Sequence, residues 1–354
     1  MNERPKISGG QLTALLFAGR MSGCLLLSSE GLAQFSVVDC LLSAALNGLL
    51  LFFLFLPTLR LLRTGETGTT ERVYARSTIG GKITDTAYLV LCLFILLIDM
   101  VQFSDFALKA MHEGLSLWLL SAVFVVACIV ASGCGIQAIA RASAPVAVFA
   151  AACLIVFAVA LIPQMHPFHF SPPQTEGLFL AMKKAVLDLP RTAEVAAIGL
   201  LYPYVNGSQT RSCVRFCGLT AVFSALAIVT AVGVLGGTAG MSAYPFYTAV
   251  SAARIGVLQR LDALVVAVWL GTFFVRFTLF VQLFLERLSN LFPKQRFGRV
   301  GLALILIGAA LWIQNSSYGD EWRIATAVYW GMLAVFCFGL PLILKGGGRR
   351  IAKA

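Results

Sequence analysis

Charged side chains interrupt the apolar stretches of this chain at Arg20, Asp39, Asp99, Asp105, Glu194, Asp262 and Arg276. A charge inside hydrocarbon costs free energy, so such residues mark a functional site or an internal partnership. Asp39, Asp105 and Asp262 fall within a turn or two of the end of a stretch, where a side chain reaches water. Arg20, Asp99 and Arg276 sit near mid-depth, and Glu194 lies in the outer half. Two readings stay open. The arginines and carboxylates neutralise one another as an internal ion pair that holds the bundle. Alternatively, they line a polar cavity for a zwitterion, with Arg facing its carboxylate and Asp or Glu its amine.

Other chemistry has little to stand on. The chain contains no G-x-S-x-G, H-E-x-x-H or G-x-x-x-x-G-K-[ST] pattern, so no enzyme, catalytic residue or cofactor is expected. His166 and His169 with Met165 have the softness for a metal, but no carboxylate or thiol is paired with them. They read as interfacial histidines, and no metal site is expected. The 9 cysteines fall in or beside apolar stretches without any C-x-x-C, and read as small packing residues.

The elements that position these residues are transmembrane helices. At 59% hydrophobic and 12% charged, the chain falls outside the range of soluble domains, which are about a quarter charged. A span needs about 20 mostly apolar residues. Stretches of that kind lie near 10–29, 36–59, 84–108, 115–139, 144–162, 191–209, 216–238, 262–285, 299–315 and 323–344. They predict ten spans. With the amino terminus inside, the outer segments hold only Lys109, Lys183, Lys184, Arg191, Arg254, Arg260 and Arg323, and most other Lys and Arg fall inside. That bias predicts both termini in the cytoplasm. It also accounts for the net charge of +11 without nucleic acid, leaving the lipid bilayer as the partner. Residues 1–9 are polar and the apolar run after them has no small-residue cleavage site, so the first span is expected to stay.

Five spans precede the outer segment 163–190 and five follow it. An odd number per half makes the halves (about 6–162 and 191–345) enter the membrane from opposite sides, which permits a 5+5 inverted repeat. Within 163–190, Leu178, Phe179, Met182, Val186 and Leu189 share one helical face, which predicts an amphipathic helix on the outer surface. The apolar stretch 239–261 is expected to pack on the bundle as a cap. The first span carries Gly19-Arg20-Met21-Ser22-Gly23 at its centre. Glycines four apart allow close helix packing, or local unwinding that frees backbone groups for a ligand. The sixth span carries Gly199 and Tyr202-Pro203-Tyr204, where proline predicts a kink or break.

Several features carry a family resemblance. They are Lys6-Ile7-Ser8 and Gln11-Leu12 leading into the first span, Glu194 and Pro203 in the sixth, Tyr244-Pro245 followed by Arg254-Ile255, and Leu258-Gln259-Arg260-Leu261-Asp262 with Trp269 and Arg276. Together they resemble the B subunit of spore germinant receptors, the GerAB/GerKB family of the amino acid–polyamine–organocation transporter superfamily. Arg20, where relatives more often have a small or apolar residue, and Gln259, where Glu is common, depart from the pattern. The resemblance implies an all-α membrane protein with a LeuT-like fold in the inner membrane of the endospore. It implies a subunit that senses a small germinant, typically an amino acid, with A-type and C-type partner subunits. An autonomous amino-acid transporter of the same fold is the alternative. The pocket is then expected at mid-membrane, with Gly19, Arg20, Ser22 and Gly23 from the first span and Asp99 and Phe103 from the third. Gly199, Tyr202 and Pro203 come from the sixth, and Thr272 and Arg276 from the eighth.

Overall fold

The computed structural model describes residues 6–26, 37–62, 77–110, 116–170, 177–187, 192–252, 261–293 and 297–314, with single positions between 71 and 75 and between 328 and 336. The tenth expected span, 323–344, falls largely outside the described residues, as do Arg254-Ile255, Gln259 and Arg260.

The described residues are almost entirely helical. A short strand β1 (Ile7–Ser8) leads into α1 (Gly9–Leu25), followed by α2 (Val37–Leu62), α3 (Thr78–Ala110), α4 (Leu117–Ser132) and α5 (Ile136–Leu161). Next come α6 (Gly177–Leu187), α7 (Glu194–Leu201), β2 (Val205–Asn206), α8 (Gln209–Leu235), α9 (Pro245–Ser251), α10 (Leu261–Leu291) and α11 (Gly298–Gln314). Helices α2, α3, α5, α8 and α10 are long and apolar enough to cross a membrane, and α4 and α11 are shorter apolar helices. In lipid, only an element that satisfies its own backbone groups can do this, which is why the apolar stretches become helices.

Burial shows how the bundle is arranged. α10 is 67% buried over its most apolar window, against 39–44% for the other long helices, so it runs through the centre. α1 lies beside it, wrapped by α5, α8 and α10. A capping box starts α1: Ser8 accepts from the amide of Gln11, and the Gln11 side chain accepts from the amide of Ser8. β1 pairs in parallel with β2, so the start of α1 is tied to the end of α7. Ser212 donates to the carbonyl of Gly9 at 2.8 Å, and Cys24 meets Ser224 at 3.1 Å. α1 and α8 therefore run side by side in the same direction.

Three expectations from the sequence change. The fourth and fifth spans meet at Gly133–Gly135, not near residue 140. Ser132 donates to the carbonyl of Ile129, and Gly135 turns the chain at a φ of 82° that side chains rarely adopt. The first span is not unwound at its centre: α1 is continuous through Gly19 and Gly23. The third change concerns 163–190. α6 is the expected amphipathic helix, but it packs lengthwise along α2, not on an outer surface. Ala181, Lys184 and Ala185 face the bundle, while Leu178, Phe179, Met182 and Val186 point outward.

The end of α6 reaches mid-depth. Asn47 donates to the carbonyl of Ala185 at 2.9 Å in a buried contact. The neighbouring Gly48 lies against Ala221 and Cys217, about halfway along α8. His169, shortly before α6, packs on Gly233 and Gly236 at the α9 end. The chain thus enters α6 from the α9 end and leaves it near the middle. α7 starts at Glu194, which lies against Gly19 at the middle of α1, and runs to the β1–β2 end. α6 ends and α7 begins near the same level, as two half-length helices. Residues 188–191 between them lie outside the described residues, and Thr192 and Ala193 are fully buried.

α9 forms the cap expected of 239–261, as far as that stretch is described. Pro245, Phe246, Ala249 and Val250 are buried against the bundle. Tyr244 donates to Asp105 at the end of α3, and Lys109 pairs with the same carboxylate at 2.7 Å. Burial raises the pKa of the Tyr247 phenol, and the nearby Asp262 carboxylate adds to the rise.

Candidate functional site

Arg276, at the middle of α10, is the hub. Its Nε donates to both oxygens of Asp99 on α3, at 3.2 and 3.0 Å, and its Nη1 donates to Oε1 of Glu194 at 2.8 Å. Asp99 and Glu194 are fully buried and Arg276 nearly so. The guanidinium fork suits this arrangement, since it offers several donors in fixed directions. One arginine therefore links α3, α10 and the first residue of α7. The internal ion-pair reading holds for Arg276, Asp99 and Glu194.

Arg20 is different. It is 5% exposed, and its Nε and Nη1 meet no hydrogen-bond partner among the described residues. Oε2 of Glu194 and the Thr192 hydroxyl, both buried, are also without partners there. The two glycines of α1 explain how these groups fit. A Cβ on Gly19 would come within 2.7 Å of Glu194 Oε1, and one on Gly23 within 3.3 Å of Arg20 Nη1. Each glycine makes room for a charged side chain, which is the close-packing use of the spacing. Gly23 alone keeps partial exposure among the residues from Leu15 to Leu26.

The other expected site residues divide by level. Ser22 donates to the Gly19 carbonyl at 2.7 Å and Thr272 to the Trp269 carbonyl at 2.9 Å, so both hydroxyls are satisfied within their own helices. Phe103 is one turn from Asp99 on the α9 side, where it stacks on Phe124 at 4.5 Å and on Trp269 at 5.8 Å. Tyr202 and Pro203 end α7 in a 3-10 turn at the β1–β2 end, and Gly199 lies one turn before them. They are not at the level of Arg276. Tyr204 donates to Glu286, which pairs with Arg287, and Arg287 reaches Asp85 at 3.1 Å. That second cluster lies ten to eleven residues along α10 from Arg276, about 15 Å away at 1.5 Å per residue.

Glu194 is the site residue that the sequence reading left out of its pocket. Its charge within an apolar stretch was the available signal. Its place at the start of a half-helix required the position of α6.

The structure of Mhp1, a nucleobase-cation-symport-1 family transporter, superposes with a TM-score of 0.69 at 15% identity, covering 96% of this chain and 77% of that one. That structure is described as a closed conformation with bromovinylhydantoin bound. No curated protein sequence matches this chain. The family model described as spore germination protein matches residues 6–318, and the chain belongs to that family.

Proposed function

We propose that this chain is the ligand-sensing membrane subunit of a spore germinant receptor, binding a small germinant at mid-membrane. Family membership supports the germination role. The observation that carries the sensing role is the Arg20 guanidinium, buried against Gly23 on α1 with its Nε and Nη1 unpartnered among the described residues. A buried charge without a partner costs free energy, and a ligand that supplies one lowers that cost. In this reading the chain has ten spans in a 5+5 inverted repeat, with both termini cytoplasmic, in the inner membrane of the endospore. A-type and C-type subunits read its state. Binding shifts the half-helices between two arrangements, to the extent that the ligand prefers one of them.

A second reading, an autonomous amino-acid transporter, draws on the fold shared with a symporter. Deletion of the gene in the host separates the two. For the receptor, spores lacking the chain stop responding to at least one germinant, and the affinity-tagged chain co-purifies with A-type and C-type subunits. A normal germination response together with amino-acid uptake by the purified chain in liposomes overturns the receptor reading in favour of the transporter.

A further inference from the structure

Away from the buried clusters, three exposed arginines at the β1–β2 end of the bundle lack a charge partner. Arg211 and Arg215 lie near the start of α8, and Arg60 near the end of α2. No ion pair among the described residues uses any of them. α8 contains no carboxylate, and Asp39, the acid of α2, lies at the opposite end of that helix. Arg211 also stands in the first turn of α8, where the helix dipole disfavours a cation. An anion at this place meets both the guanidinium groups and the dipole.

Packing brings the arginines to one level. α2 and α8 lie side by side and run in opposite directions: Gly48 is against Cys217 and Ala221, and Phe55 meets Phe216 edge-on at 5.9 Å. Arg60 is five residues beyond Phe55, and Arg211 is five before Phe216. Both therefore stand about 7.5 Å further toward the β1–β2 end, at 1.5 Å per residue. Side chains lean toward the N-terminus of a helix, so Arg215 reaches back toward the same level.

The arginine-bearing faces continue toward mid-depth as apolar surface. On α8, Arg211, Arg215, Gly218 and Val222 are exposed at helical spacing, and on α2 so are Arg60, Phe53 and Leu49. The register sets Phe53 level with Gly218 and Leu49 level with Val222. A Cβ on Gly218 would meet nothing within 4 Å, so the surface is open there. Cations at one level above an exposed apolar stripe match an anionic headgroup above its acyl chains. A free anion uses the arginines and leaves the stripe uncovered.

We propose that the outer groove between α2 and α8 binds an anionic phospholipid, with its phosphate on Arg60, Arg211 and Arg215 and an acyl chain along Phe53, Gly218 and Val222. The lipid ties α2 to α8. Ser212, next to Arg211, donates to the Gly9 carbonyl, so the same lipid steadies the start of α1.

The test is a melting-temperature titration of the purified full chain, washed free of lipid in detergent. Phosphatidylglycerol, phosphatidylcholine and inorganic phosphate are added separately. Phosphatidylglycerol is expected to raise the melting temperature at concentrations where the other two give no shift. The double variant Arg211→Gln/Arg215→Gln is expected to need at least about tenfold more phosphatidylglycerol, and Arg211→Lys/Arg215→Lys to recover part of the response. Lys82→Gln/Arg299→Gln removes the same charge from exposed positions at the same end of the bundle, on α3 and α11. That control is expected to keep the wild-type response. Equal shifts with the two lipids overturn the proposal, as does equal weakening in the two glutamine variants, the mark of general attraction to a basic surface. A phosphate shift matching that of the lipid assigns the arginines to a free anion and overturns it too. So does the absence of any phosphatidylglycerol shift. No germinant enters these measurements, so the receptor reading survives or falls separately.

Discussion

Arg276 and Arg20 are the same residue type at similar depth, and their neighbours give them opposite roles. Arg276 is matched by two carboxylates, so Asp99→Asn is expected to strip a charge partner from a buried guanidinium. Removing one partner of a buried pair typically costs about 3–5 kcal/mol. The expected outcome is a large drop in melting temperature in detergent, with less chain recovered from the membrane. Gly19 acts through space. A Cβ there would press on Glu194 Oε1, and Arg276 holds that carboxylate from the other side. Gly19→Ala is expected to insert normally and lose ligand response. Unchanged response in that variant would show that Glu194 moves freely and takes no part in the ligand response.

Among the elements, the α6–α7 pair differs most from an ordinary helical hairpin. Both half-helices end near mid-depth, so their terminal backbone groups face the interior rather than water. Asn47 on α2 satisfies one of them, the carbonyl of Ala185. Asn47→Leu removes the donor while keeping the volume. It is expected to lower stability by about 1–3 kcal/mol, the cost of an unsatisfied buried acceptor, and to speed amide exchange in α6 more than in α7. Equal exchange in both would mean that α6 is held by its Ala181 and Ala185 face alone. The β1–β2 pair and the capping box fix the other end, so α1 and α7 leave the sheet as a unit.

For the whole molecule, the two charged clusters lie at different levels along α3 and α10. The Arg276 cluster joins α3, α10 and the start of α7, and the Arg287 cluster joins α3, α10 and the turn after α7. α7 is held at both ends to the same pair of helices, which suits a unit that moves as a rigid body. Orientation can be measured directly. Cys134 is the exposed cysteine among the described residues, in the turn before α5, and Gln137 nearby donates to the carbonyl of Lys6. With cytoplasmic termini, an impermeant thiol reagent is expected to label Cys134 from the inner face only. Met241→Cys in a Cys134→Ser background should label from the outer face, since Met241 is 88% exposed at the α9 end. The reverse pattern would invert the topology.

Apolar stretches about 20 residues long become helices because lipid allows little else, and a charge within them carries a cost wherever the helix packs. Those two facts make the helices, the positions of Arg20, Asp99, Glu194 and Arg276, and the cap at α9 legible in the sequence. The resemblance drawn from Lys6-Ile7-Ser8, Glu194 and Trp269 points to the family that the chain matches. Pairing was not legible. Whether Gly19 and Gly23 unwind or make room depends on what lies against them, and only the packed α7 and the folded-back Arg20 side chain decide it. The helix ends at Tyr202-Pro203 as the proline predicts, but the start of α7 at Glu194 and the end of α6 near mid-depth are set by tertiary partners such as Asn47. Local composition cannot report that, since α6 reads equally well as a surface helix. Only the tertiary structure separates the saturated arginine from the unsaturated one, because the carboxylates that decide it come from α3 and α7, distant in sequence from both.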